Sequence, residues 1–133
     1  MVAYSFKRQF IRPILRQTKQ QTIRADRRRH ARPGEPLQIY FGMRTKSCRL
    51  IGHATCLLAH PIRLDFVANR VERDVGLPRV SAADLDRFAM DDGFADWAAM
   101  RSFWRTEHPD VPVFSGVLIG WGTSLRAMWP DET

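Results

Sequence analysis

The sequence predicts an α+β fold in which a small curved sheet or β-barrel carries helices against it. Two observations lead there. Apolar residues alternate with polar ones at strand spacing in several segments and recur at helical spacing in only three. The order of the segments is strand, short helix, several strands, two helices, strand, which is not the regular alternation of a doubly wound parallel sheet. A chain of 133 residues is one domain's worth. With 44% apolar residues, eight Phe and four Trp among them, it can bury a core.

The elements follow in order. Val2–Phe6 reads as an opening strand. Phe10, Ile11, Ile14 and Leu15 share one face of a short helix, with Pro13 in its first turn or limiting it to a turn or two. The polar stretch 17–21 leads into Thr22-Ile23-Arg24. Residues 26–32 (Asp-Arg-Arg-Arg-His-Ala-Arg) have no apolar period and form an exposed loop, closed by a turn at Pro33-Gly34-Glu35-Pro36. Residues 37–43 form a strand. A polar connection at 44–46 leads to a longer strand over 47–59, which Pro61 interrupts. Residues 62–67 alternate like a half-exposed strand.

Ser81 to Asp84 has capping-box form, and Leu85, Phe88 and Ala89 give the following helix its inner stripe. Asp92-Gly93 ends that helix. Asp96 caps a further helix running to about His108, with Trp97, Met100 and Trp104 on its core face. Residues 113–121 form the closing strand. The domain therefore spans 1–121, and 122–133 is a C-terminal tail whose Trp129 docks on the barrel or on a partner.

Charge is uneven. Of 21 basic residues, 18 are Arg. Residues 1–50 hold 13 basic and two acidic residues, whereas 51–133 hold eight and 12. One basic half suggests a polyanion-binding face, nucleic acid being the obvious polyanion. No apolar run approaches the ~18–20 residues of a membrane helix. No apolar block follows the charges at the N-terminus, so no signal peptide is expected and the protein is expected in the cytoplasm.

On an unbroken strand, Cys48 and Cys56 stand about 26 Å apart, far beyond disulfide reach, and are expected as free thiols. Neither they nor His30, His53, His60 and His108 have metal-ligand spacing, so neither a metal nor a cofactor is expected. No phosphate loop, dinucleotide fingerprint or Gly-x-Ser-x-Gly elbow is present.

The segment from Arg16 to Arg24, a short helix followed by Lys19-x-x-Thr22-Ile23-Arg24, then a basic loop and Gly34-Glu35 before a strand, resembles the ASCH domain, a PUA-like β-barrel family related to RNA-binding modules. Asp91-Asp92-Gly93-Phe94, followed by Trp97, Phe103 and Trp104, is similar to that family's acidic-Gly-Phe helix junction and aromatic helix. The resemblance covers most of residues 3–121. It implies a barrel of about five to six strands with a short N-terminal helix and two helices before the last strand. Three departures stand out. Gln17 occupies a position where the family often has Gly, Glu35 stands for Asp, and Asp92 stands where the enzymatic branch has Glu.

The resemblance further implies a cleft lined by the Lys-to-Arg loop. An extended segment puts Thr22 and Arg24 on one face, with Lys19 entering from the preceding turn. A cation beside a hydroxyl binds a phosphate or base edge. It also activates the hydroxyl, if the Lys is desolvated enough to lose its proton. The first expectation is binding of RNA, or a nucleotide or nucleoside derived from it, through Arg16, Lys19, Arg24, Arg27, Arg28, Arg29 and Arg32. The second, implied by the resemblance to the family's enzymatic branch, is hydrolysis of N4-acetylcytidine, with Thr22 as nucleophile, Lys19 as base and Asp92 orienting the pair. Ribonuclease activity is a third. Against all three stands a plain reading: Thr22 a strand former, Lys19 a solvated loop residue, Asp92 a helix-terminal residue paired with an Arg.

Overall fold

A computed structural model of the protein describes residues 2–74 and 76–129. Among these, the elements in chain order are β1 (Val2–Phe6), α1 (Ile11–Leu15) after a single 3-10 turn, β2 (Gln21–Arg24), β3 (Pro36–Phe41), β4 (Arg49–Thr55), β5 (Leu58–Asp65), β6 (Arg70–Arg73), α2 (Leu85–Asp91), α3 (Trp97–Glu107), β7 (Val113–Gly120) and β8 (Arg126–Ala127). The α+β class is as the sequence predicts, but the sheet is not a closed barrel of five to six strands. The strands form two four-stranded sheets, ordered β1-β3-β4-β8 and β2-β7-β5-β6. β1 pairs parallel with β3, and every other pairing is antiparallel.

The barrel expectation fails at one place in the chain. Residues 47–59 are not one strand, because the backbone changes partners at Cys56-Leu57. The Cys56 N–H donates to Glu35 O at 2.8 Å, prolonging the β3–β4 ladder, while the Leu57 N–H donates to Gly120 O at 2.8 Å and begins pairing with β7. The chain thus leaves one sheet and enters the other with every amide still paired, as buried backbone requires. Cys48 is exposed and Cys56 buried, and both are free.

Two more expectations are corrected nearby. Pro61 does not interrupt β5 but lies inside it. The partner β6 reaches only to Ile62, so Pro61 has a neighbour on one side alone, where a missing N–H is tolerated. The tail is not all tail: β8 pairs with β4 through Gly52 and His53. Trp129 donates its backbone N–H to Ile51 O and packs its ring on Phe41. Residues 130–133 lie outside the described residues.

Helix boundaries follow local chemistry. Asp96 caps α3 by accepting from the Ala99 N–H at 2.8 Å. Ser81 makes no backbone cap, and its hydroxyl donates to the Asp84 carboxylate instead. The end of α1 is a Schellman turn: Gln17 N–H donates to Ile14 O and Thr18 N–H to Pro13 O, with Gln17 in the left-handed region at φ 62°. Gln17 therefore adopts the conformation that a glycine there would take most easily.

The buried side chains fall into two clusters. One joins the inner face of the β1-containing sheet to α1, with Ile119 and Trp121. The other joins the second sheet to α2 and α3, where Trp97 and Trp104 stack on Phe66. Phe94 and Phe103 pack against both. No helix among the described residues is long and apolar enough to cross a membrane.

Candidate functional site

A cavity of about 290 Å³ lies at the seam between the two clusters. Its walls are aromatic: Phe6 and Phe10 from one side, Trp104 and Phe114 from the other, Phe94 and Phe103 between them. Its polar lining includes Lys19, Thr22, Arg24 and Asp92. Four residues singled out in the sequence, from two separated segments, thus meet in one chamber.

Lys19 is delivered by the turn after α1. Its N–H donates to Pro13 O, and the next amide, Gln20, donates to Asp91 O at 2.7 Å, tying the turn to the end of α2. The side chain then runs past Gly93, whose φ of 96° favours glycine; a Cβ there would lie 2.9 Å from Lys19 Cδ. Lys19 is only 2% exposed and Asp92 4%. The ammonium donates to Asp92 O at 2.6 Å, and Asp92 Oδ1 stands 3.8 Å away. The hydrogen bond is thus to the main chain of Asp92, and its carboxylate stands at ion-pair distance, beyond hydrogen-bond reach. The amine also lies 4.7 Å from the Phe10 ring centroid and 5.6 Å from that of Phe6. A solvated loop lysine is excluded.

Burial dominates the electrostatics. It pushes Lys19 down from its ordinary value to about 8, against the pull of the Asp92 carboxylate and with a further push from Arg24. Burial pushes Asp92 up to about 6, opposed by Lys19 and by a 3.4 Å hydrogen bond from Gln21 Nε2. Arg24 is lowered to about 10, chiefly by burial, and stays cationic at neutral pH.

Thr22 and Arg24 share a face of β2, as strand alternation requires. Arg24 Nε donates to Thr22 Oγ1 at 2.9 Å, and Arg24 Nη2 donates to Ser5 O at 2.6 Å. The guanidinium is also held over the rings of Phe6 (4.7 Å) and Tyr4 (5.4 Å). Thr22, 4% exposed, takes its side-chain hydrogen bond from Arg24, not from Lys19.

The other predicted arginines lie outside the chamber. Arg16, Arg27, Arg28, Arg29 and Arg32 are all exposed. Arg27 rests on the Tyr4 ring at 4.5 Å and Arg29 pairs with Glu35. No group of three His, Cys, Asp or Glu among the described residues could hold a metal ion. Sequence reasoning missed Gln21, which fixes Asp92, and His108, which lines the cavity beside Trp104. The capping Asp96 and the helical stripe gave α3, but nothing in the sequence marked the residue after its end. No family model, curated protein or solved structure matches this chain.

Proposed function

We propose that the protein binds a single nucleoside or nucleotide unit derived from RNA in this cavity, and that it hydrolyses the exocyclic amide of an acylated cytidine there. The observation that carries this reading is a buried lysine, hydrogen-bonded to Asp92, in an aromatic-walled chamber that also holds Thr22. Its volume sits at the small end of ligand pockets, roughly 300–1,000 Å³, which suits one planar unit rather than a length of chain. Rings that bound the chamber suit the faces of a base.

The chemistry follows from the lining. Neutral Lys19 accepts the Thr22 proton, and Thr22 Oγ attacks the acyl carbonyl. The tetrahedral intermediate collapses by breaking the C–N4 bond. The proton held by Lys19 goes to the leaving amine, and an acyl ester remains on Thr22. Water gives a proton to Lys19 and attacks that ester; the acyl C–Oγ bond breaks, the proton passes from Lys19 to Thr22 Oγ, and the free acid leaves. Arg24, by donating to Oγ1, stabilises negative charge as it builds on Thr22. Asp92 holds the Lys19 amine in place. A fold related to the PUA-like barrels belongs to the same proposal, supported by the order of the Lys-to-Arg and Asp-Gly-Phe segments around the chamber.

The test is release of acetate from N4-acetylcytidine by purified protein. Release that Thr22→Ala abolishes supports the reading; release equal to that of the variant, or none, sinks the hydrolysis. A second reading, RNA held on the surface alone, is favoured by the five exposed arginines. It is the better account if RNA binds with steep salt dependence and Lys19→Arg is silent.

A further inference from the structure

We infer that the occupant of the cavity is a nucleotide still joined to its strand: one unit of a single-stranded polynucleotide turned into the chamber, with neighbouring phosphates on residues 25–32. This rests on the reading above, that a nucleoside unit fills the cavity, and goes beyond it by naming the polymer as substrate.

The location of the opening is the first argument. Of the residues lining the cavity, only Lys7, Ala25 and His108 are exposed, so the chamber opens among them. Ala25 is also the first residue after β2, where the arginine segment begins. The segment curls back onto the opening, because Ala25 O is hydrogen-bonded to His30 Nε2 at 2.9 Å.

The second argument is rigidity. A carbonyl partner makes His30 Nε2 the donor, so in the neutral ring Nδ1 accepts from Tyr4 OH at 2.9 Å. The Ala31 N–H reaches the same phenol oxygen at 3.3 Å. Arg27 lies on the Tyr4 ring, and Glu35 takes both the Arg29 guanidinium and the Arg32 N–H. The segment is pinned at both ends, so little order remains to be imposed when a ligand arrives.

Charge is the third. Residues 24–32 carry five Arg and one Asp, and Arg28 makes no ion pair or side-chain hydrogen bond among the described residues. A neutral nucleoside brings nothing to meet these cations, whereas a strand entering the chamber at Ala25 carries phosphates past them. Turning a base out is least costly in a single strand.

The test compares binding of a heptanucleotide carrying one central N4-acetylcytidine with that of the free nucleoside and its 5′-monophosphate, in the full chain carrying Thr22→Ala, which leaves the amide intact, and in the same chain with Arg28→Glu added. At about 50 mM salt the heptamer should bind roughly tenfold or more tighter than the nucleoside. Its affinity should fall with a log–log salt slope of about −1.5 to −2, as two or three neutralised phosphates require. Saturating nucleoside should displace it, and Arg28→Glu should weaken it at least about fivefold. Arg28→Ser repeats the last comparison without a new charge. A heptamer that binds no tighter than the nucleoside or monophosphate, or that free nucleoside does not displace, overturns this inference and leaves cavity binding standing. A nucleoside that does not bind at all overturns both.

Discussion

Lys19 combines two properties that a structural residue rarely needs together: it is almost wholly buried, and its partner carboxylate is destabilised by the same burial. Buried ion pairs are a weak source of stability, since desolvation offsets the attraction. The signs can be worked out. Asp92 sits near 6 in the fold against 3.8 in the open chain, so the fold holds more protons between about pH 4 and 6 and loses stability as pH rises through that window. Lys19 sits near 8 against 10.5, so the open chain holds more protons between about 8 and 10.5 and stability rises with pH there. Relative to a Lys19→Met/Asp92→Asn double variant, the protein is therefore least stable between about pH 6 and 8, and the gap narrows on both sides. Urea titrations from pH 4 to 10 read this directly; a gap independent of pH contradicts the burial argument.

At the same scale, hydrolysis by neutral Lys19 should rise with pH and level off above about 8. Lys19→Arg keeps the charge but cannot release its proton, so the rate should fall by about 10²–10⁴. A rate that is flat in pH, or retained in Lys19→Arg, excludes the lysine as base.

Among the elements, the turn after α1 shows what pattern reading can and cannot reach. Polar residues 17–20 announce a helix end, and Gln17 is a residue that does not favour φ 62°. Gln17→Gly should raise stability by about 0.5–1 kcal/mol in denaturant unfolding, the gain in the folded turn exceeding glycine's entropy cost. Gly93→Ala should do the reverse, by about 1–2 kcal/mol, because it adds left-handed strain and drives a methyl into Lys19. The Lys19 resonance in a lysine-labelled NMR spectrum should move with it; an unmoved resonance contradicts the contact.

Strand β6 was illegible for the opposite reason. Arg70–Arg73 has one buried apolar residue, Val71, among two Arg and a Glu, and so reads as solvated. Only its pairing with β5, after a turn in which Asp65 accepts from the Val67 and Ala68 amides, makes it a strand.

Over the whole molecule, local chemistry gave α2, α3, β1 and β7 with ends accurate to a residue or a few. It could not give the two-sheet arrangement. Periodicity records which side of a strand is buried, not which strand lies beside it, so the run through Cys56 and Leu57 looks continuous although its two halves pair with different sheets. The site was legible where a short segment holds it, as for Lys19, Thr22 and Arg24. The cavity was not, because its walls come from two distant parts of the chain, residues 5–25 and 92–114.

The sharing of Phe94 and Phe103 by both buried clusters bears on how the protein comes apart. Two cores joined through common side chains should not melt separately, and the free protein should show one unfolding transition. The chamber lies at the joint between them. A small molecule lodged there should slow amide exchange in both sheets at once, including strands such as β4 and β6 that line no part of the chamber. Exchange slowed only in residues that line the chamber would mean that the two halves open independently.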